Sequence, residues 1–367
     1  MRTIEKTGGS SQYQIPEKMR AAVLFGPGDL RIVERPVPVP GPQNVLIKVA
    51  ACAICGTDLK ITSHPFPGQP PFGEFIPGHE YVGTVVSVGD TVTEFTPGDR
   101  VAVEAHKGCM RCENCIKGDY TSCLNYGNVG MGHHTSGFTV PGGFAEYVVH
   151  HINAVYKIPD SISFEEATMV TTTGTPLYGL DVAGGFIAGE SIAVIGPGPI
   201  GLMTTAIVRG LAADPVILVG TNEPRMKLGA EFGATDLVRA KGQDAVNQVR
   251  ELTGGLGVDL AIDCAGGPGT LDDALRMTKL GGRILLLAFY KESVTADISH
   301  AVRSDITIFT TRGEGRSACR RGLSMMKQGL IPAKKMITHE FKLEDIMEGF
   351  ATFRERRGNA IKVLVKP

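Results

Sequence analysis

The chain has 367 residues, a formal net charge of -1 and 43% hydrophobic residues, with Gly and Pro scattered along its whole length. That length suits two domain cores, and the short basic runs (Lys334-Lys335, Arg354 to Arg357) exclude the electrostatic footprint of a nucleic-acid or anionic-membrane binder, which leaves neutral small molecules as partners. Eight cysteines are too few for a disulfide scaffold, and no stretch of about 18 apolar residues offers a membrane span, so a soluble, cytoplasmic protein is expected.

Residues 1–18 are polar, include Gly8, Gly9, Ser10 and Ser11, and read as a flexible tail. From Met19 to about Ile158, short β-rich runs (Ala21 to Phe25, Val45 to Ala50, Tyr81 to Val88, Arg100 to Val103, Phe144 to Val149) alternate with Pro- and Gly-rich turns such as Pro36 to Pro42 and Pro65 to Gly78. A β-rich domain over 19–170 is predicted. Around Ser163 the texture changes. Apolar strands at Ile192 to Ile195, Val216 to Val219, Leu260 to Asp263, Arg283 to Leu287 and Ile306 to Thr310 then alternate with helical stretches, the pattern of a parallel, doubly wound α/β domain over 171–313. The remainder, 314–367, carries helical patterns at Cys319 to Gln328 and Leu343 to Arg356 and a strand at Ala360 to Val365.

Three motifs carry chemistry. Cys55-Gly-Thr-Asp58 follows one strand and Gly78-His79-Glu80 precedes another, so a thiolate, an imidazole and a carboxylate gather near strand ends. Together they offer one zinc ion three ligands and leave a position for water or alcohol, as a Lewis-acid site requires. Cys109, Cys112, Cys115 and Cys123 supply four thiolates on one short loop, the donor set of a closed tetrahedral zinc that folds the loop rather than reacting. Cys52, Cys264 and Cys319 read as packing residues.

The third motif follows the strand Ser191 to Ile195: Gly196-Pro-Gly198-Pro199-Ile200-Gly201 leads into a helix, the order of a dinucleotide-binding turn. Gly196 permits the tight turn, Gly198 lets backbone approach a pyrophosphate, and Gly201 lets helix and strand close up. After Val219, where an NAD site commonly presents an acid to the ribose, stand Gly220, Thr221 and Asn222. Thr221 and Arg225 are possible donors to a 2′-phosphate, which leans the reading to NADP, while Glu223 leaves NAD open. His106, His133 and His134 read as exposed loop histidines or as cleft-lining groups, and Glu104 as a neighbour of the cysteine lobe.

These motifs, with Gly142-Gly-Phe-Ala-Glu-Tyr147, occur in one order from about Met19 to Pro367, and the chain resembles the zinc-dependent medium-chain alcohol, polyol and threonine dehydrogenases. The resemblance implies a GroES-like catalytic domain, a Rossmann domain, a C-terminal segment returning to the catalytic domain, and a homodimer or homotetramer. It implies one catalytic and one structural zinc per subunit, with Cys55, His79 and Glu80 at the first, Thr57 passing the alcohol proton, and hydride moving between a small secondary or polyol-like alcohol and NAD(P). Two positions depart from the pattern. The usual third ligand falls on Thr171 or Thr172, poor zinc donors, so a sorbitol-dehydrogenase-like shell with Glu80 is preferred over a register shift to Glu165 or Glu166. Lys60 stands where many relatives carry a relay histidine and reads as a phosphate contact, a proton relay or a solvated lysine. The rival functions are a zinc-free NADPH reductase of enones or quinones and a non-catalytic dinucleotide-binding protein. Metal content and turnover on an alcohol panel separate them.

Overall fold

The computed structural model describes residues 13–64 and 68–367; of the expected tail, residues 1–12 lie outside the described residues, as do 65–67 of the Pro65 to Gly78 turn. Tyr13 and Ile15 already pack against buried side chains, and Lys18 opens the first strand. Two compact units are present. The first holds the described residues up to Thr171 together with Glu314–Leu323 and Ala333–Pro367, the second Thr172–Gly313 and Ser324–Pro332. The final stretch thus contributes to both units, whereas the sequence reading assigned all of 314–367 to the first.

In the first unit β1 (Lys18–Gly26) and β2 (Asp29–Pro36) form an antiparallel hairpin. The main sheet is built on β3 (Asn44–Ile54), β4 (Glu80–Val88) and β5 (Arg100–Val103). β3 is a run of Val, Ile, Leu, Ala and Cys buried on both faces, which is why it reads as a continuous apolar strand rather than an alternating one. The short pair β6 (His106–Lys107) and β7 (His134–Thr135) stands apart from this sheet, while β8 (Tyr147–His151) pairs with β3 and β9 (Val155–Lys157) with β5. The predicted strand at Phe144 to Val149 begins three residues later than expected, because Gly142 to Ala145 pack against the His79 loop and β1 instead.

The second unit is a six-stranded parallel sheet of β10 (Ile192–Ile195), β11 (Val216–Val219), β12 (Asp236–Val238), β13 (Val258–Asp263), β14 (Thr278–Leu286) and β15 (Thr307–Thr310). Its order, β12-β11-β10-β13-β14-β15, reverses direction between β10 and β13, and that switch point is where doubly wound sheets bind dinucleotides. β12 is absent from the sequence reading because three residues are too short to show a period.

The chain then supplies β16 (Ile337–Lys342) and β17 (Lys362–Lys366), which pair in parallel. β17 also runs antiparallel to β3, with Val363 opposite Ile54, while on the other side of β3 Ala53 faces Glu80 of β4. Three strand ends therefore converge where β3 runs into Cys55. No helix among the described residues is long and apolar enough to cross a membrane.

Candidate active site

β3 extends to Ile54 and delivers Cys55 directly to the start of the helix Gly56–Ser63, where its N–H donates to Asp58 Oδ2 at 2.8 Å. His79 is set on the neighbouring strand end by close backbone packing: a Cβ on Gly142 would lie 2.0 Å from the Gly78 carbonyl oxygen, so no larger residue leaves the loop where it is. The Phe138 ring covers the imidazole at 4.8 Å. One ligand atom each of Cys55, His79 and Glu80 lie within 4.8 Å of one another, with His79 and Glu80 buried and Cys55 half-buried.

The surroundings of this cluster favour a positive charge. His79 Nδ1 lies 3.2 Å from the wholly buried Asp58 Oδ1, within ion-pair reach although not aligned as a hydrogen bond. Burial alone would depress the imidazole, but Asp58 and Cys55 outweigh it and hold its pKa well above the ordinary range. A pocket in which Asp58 and Cys55 offset the desolvation of a buried imidazole favours positive charge, and a divalent metal fits the donor set of Cys55, His79 and Glu80. Thr57 Oγ1 stands 3.7 Å from Cys55 Sγ at the rim of the cluster.

Lys362, in a stretch the sequence reading took only as a strand, is 2% exposed and forms an ion pair with Glu80, itself 4% exposed. Burial would lower the amine; Glu80 and Cys55 more than offset it. One signal for it existed, a lysine opening a short apolar strand, but only pairing of β17 with β3 carries it to Glu80. Among the other candidates, Lys60 is exposed, Thr171 and Thr172 are buried, Glu165 accepts from Lys366 at 2.7 Å, and Glu166 closes a helix cap with Ser163.

Cys109, Cys112, Cys115 and Cys123 form a second ligand cluster. Cys109 and Cys115 Sγ are 3.9 Å apart, as are Cys112 and Cys123, close to the edge of about 3.8 Å of a tetrahedron with zinc–sulfur bonds of about 2.3 Å. The Cys112 N–H and Asn125 Nδ2 donate to Cys109 Sγ at 3.3 and 3.2 Å. Burial pulls the Cys109 thiol up, but these and neighbouring donors bring it down to about 6, and backbone N–H groups lower Cys112, whereas burial pushes Cys115 up to about 12 and raises Cys123. All eight cysteines are free.

The loop histidines are more buried than an exposed-loop reading expects, and Glu104 lies beside Tyr120, which packs on the cysteine cluster. His133 is fully buried, His106 is buried with Nδ1 3.4 Å from Glu314 Oε2, and His134 is half-buried, so none is an exposed loop histidine. Glu104 is wholly buried; Tyr156 donates to its Oε2 at 2.7 Å while its Oε1 lacks a hydrogen-bond partner. Burial first and Glu314 second push its pKa well above the usual carboxylate range. As pH rises past the ordinary carboxylate value, the unfolded chain releases this proton and the native state keeps it, so stability falls until native Glu104 ionises too. Glu104→Gln is therefore expected to raise Tm at neutral pH and flatten its pH dependence, measured by calorimetry from pH 4 to 8; a lower Tm at every pH would refute the assignment.

The dinucleotide turn occupies the end of β10. Gly196 has φ +100°, and its missing Cβ would lie 2.8 Å from Ala265 Cβ. A Cβ on Gly201 would lie 1.9 Å from the Gly196 carbonyl oxygen, whereas Gly198, at the N-cap of the helix Pro199–Gly210, faces open space for a pyrophosphate. Pro199 opens that helix, where its absent N–H costs nothing, and Ile200 follows it. Past β11, a Cβ on Gly220 would meet Pro197 Cδ at 2.4 Å, so the Pro197 ring excludes an acid there. Asn222 Oδ1 caps the next helix by accepting from Arg225 N at 3.1 Å, while Thr221 is exposed. Glu223 pairs with Lys227 and with Arg239, a cation the sequence reading did not single out. Asp263 braces the other side of the sheet end, accepting from Ala265 N, Gly266 N, Thr270 and Tyr290.

A Cys-His-Glu donor set on a β-rich unit and a phosphate-binding turn on a doubly wound one define a nicotinamide-dependent oxidoreductase. Residues 41–160 match the alcohol dehydrogenase GroES-like domain and 199–328 the zinc-binding dehydrogenases. The chain is 30% identical to sorbitol dehydrogenase of Bacillus subtilis (strain 168), over 97% of this chain and 99% of that protein. It is 33% identical to L-threonine 3-dehydrogenase of Pyrococcus horikoshii, over 95% and 99%. A structure from Sinorhizobium meliloti 1021, described as a zinc-binding dehydrogenase and solved with NADP, superposes with a TM-score of 0.85 at 29% identity, covering 96% of this chain and all of that one. The chain belongs to the zinc-dependent medium-chain alcohol dehydrogenase family and is an NAD(P)-dependent alcohol dehydrogenase.

Proposed function

We propose that Cys55, His79 and Glu80 hold a catalytic zinc, that the four-cysteine lobe holds a structural one, and that the substrate is a small secondary or polyol-like alcohol. The observation that carries this reading is the convergence of the three donors within 4.8 Å in a pocket biased toward cations. When bound, the metal supplies Lewis acidity that lowers the pKa of a substrate hydroxyl, and the dinucleotide supplies the hydride acceptor at C4 of its nicotinamide. The chain's own residues do the rest. Asp58 fixes the ring orientation of His79, Lys362 holds Glu80, and Phe138 keeps water off the imidazole. The Thr57 hydroxyl, beside Cys55, takes up the alcohol proton as it hands its own to solvent water.

The cofactor leans to NADP. Gly220 leaves no room for a ribose-binding acid, Glu223 is tied to Arg239 and Lys227, and Thr221 and Arg225 flank the same strand end. Asn222, also a candidate contact, offers the ligand its backbone, because its side chain is committed to the helix cap. A homodimer or homotetramer would cover the open edge strand β15, detectable as a multiple of 39.0 kDa in light scattering. Eight free cysteines favour the cytoplasm.

The test is a panel of secondary alcohols, polyols and 3-hydroxy amino acids, followed by nicotinamide absorbance with each cofactor alongside metal analysis. Two zincs per chain and a higher kcat/KM with NADP are expected. Zinc in the cysteine lobe alone, with reduction of enones but no alcohol oxidation, would overturn the reading.

A further inference from the structure

At the carboxyl end of its parallel sheet the second unit gathers charges that the zinc chemistry leaves unused. β11 and β12 run side by side with Val219 opposite Val238, and past them the Gly220 N–H donates to the Val238 carbonyl at 3.0 Å. Arg239 is the next residue after β12, so its backbone is fixed at the rim beside Gly220 while its side chain stays half-exposed. Pro197 of the dinucleotide turn packs against Gly220, where a Cβ would lie 2.4 Å from its Cδ. The glycine turn and the ends of β11 and β12 thus meet where a doubly wound sheet presents the adenosine ribose.

Glu223 opens the helix Glu223–Glu231 that follows β11, and its Oε1 lies 3.3 Å from Arg239 Nη1 and 3.5 Å from Lys227 Nζ. Lys227 stands one turn further along that helix, on the same face. Both separations exceed the roughly 2.7–2.9 Å of a well-formed charge-assisted hydrogen bond. The side chains are 48% exposed for Glu223, 50% for Arg239 and 69% for Lys227, and ion pairs this open contribute little to folding. One carboxylate shared by two cations also leaves positive charge over. A phosphate dianion answers this arrangement better than Glu223 does: two of its oxygens match the planar fork of the guanidinium, and a further oxygen can reach the ammonium. A ribose without phosphate offers these cations no charge.

We propose that Arg239 is the residue that selects NADP over NAD, its guanidinium binding the adenosine 2′-phosphate with Lys227 in support, and that Glu223 holds the guanidinium until the phosphate displaces it. The assignment rests on the NADP reading above and moves the main phosphate contact from Thr221 and Arg225 to the neighbouring strand end. Arg225 lies in the first turn of its helix and is half-buried, whereas Arg239 is presented at the rim.

The test titrates the full-length, zinc-loaded protein calorimetrically with 2′,5′-ADP and 5′-AMP, which isolate the 2′-phosphate from the rest of the cofactor, and with NADP and NAD. The parent is expected to bind 2′,5′-ADP about tenfold or more tightly than 5′-AMP, through the charge-assisted bonds of the extra phosphate. Arg239→Leu should cost about tenfold in affinity for 2′,5′-ADP and bring the two ligands near parity, while 5′-AMP changes by less than about twofold and so reports an intact turn. Arg239→Lys should recover part of the loss, because an ammonium keeps the charge without the fork. Glu223→Gln, which frees both cations, should tighten 2′,5′-ADP about threefold or more. A parent that does not distinguish the two ligands, or that binds NAD more tightly than NADP, would refute the NADP reading and this assignment with it. Discrimination that survives in Arg239→Leu would overturn the assignment alone, leaving the phosphate to Thr221 and Arg225. A loss of about tenfold in NAD affinity in Glu223→Gln would overturn it too, by making Glu223 the acid that binds the ribose hydroxyls.

Discussion

Cys55→Ser is expected to lower kcat on every alcohol in the panel by about three orders of magnitude or more, with dinucleotide binding intact. A serine hydroxyl is a far poorer metal donor than a cysteine thiolate, so the cluster loses one of the three ligands that would face the metal when it binds. The Lewis acidity lost with the metal is worth several kcal/mol of transition-state stabilisation, and each 1.4 kcal/mol is about tenfold in rate. Dinucleotide binding is spared because Gly196 to Gly201 belongs to the other compact unit. Metal analysis should show the catalytic zinc lost and the lobe zinc retained. Full zinc content with unchanged turnover would refute the assignment of Cys55.

Lys362→Met is expected to be the most destabilising single change at the site. It leaves the Glu80 carboxylate buried without its counter-ion, a situation that costs about 3–5 kcal/mol, enough to lower Tm by on the order of 10 °C. The loss should be largest in the chelator-treated protein, because bound metal supplies a compensating charge beside the same carboxylate. Glu80→Gln combined with Lys362→Met should recover most of the stability but not the activity, since a neutral amide needs no ammonium and makes a poorer metal ligand. Scanning calorimetry with and without zinc reads both effects. A metal-free Lys362→Met protein as stable as the parent would show that the pair contributes nothing to folding.

How legible the molecule was depends on where its information lies along the chain. The four-cysteine lobe, the glycine turn and the strands at Ile192–Ile195 and Val216–Val219 are local signals. Each needs only a few consecutive residues, since ligand spacing, backbone freedom and apolar periodicity act over that range. Cys55, His79 and Glu80 could be grouped from sequence because each sits at a strand end. The short strand β12 escaped, and the burial of the histidines at 106, 133 and 134 was not legible, because burial of a loop residue depends on what packs over it.

By itself, then, the sequence determined the class of chemistry: which donors exist, and that a dinucleotide turn accompanies them. Only the tertiary structure decided the electrostatics that make those donors usable. Asp58 beside His79, and Lys362 brought 282 positions along the chain to Glu80, are products of strand register, and register is set by the summed burial of whole strands rather than by any local pattern.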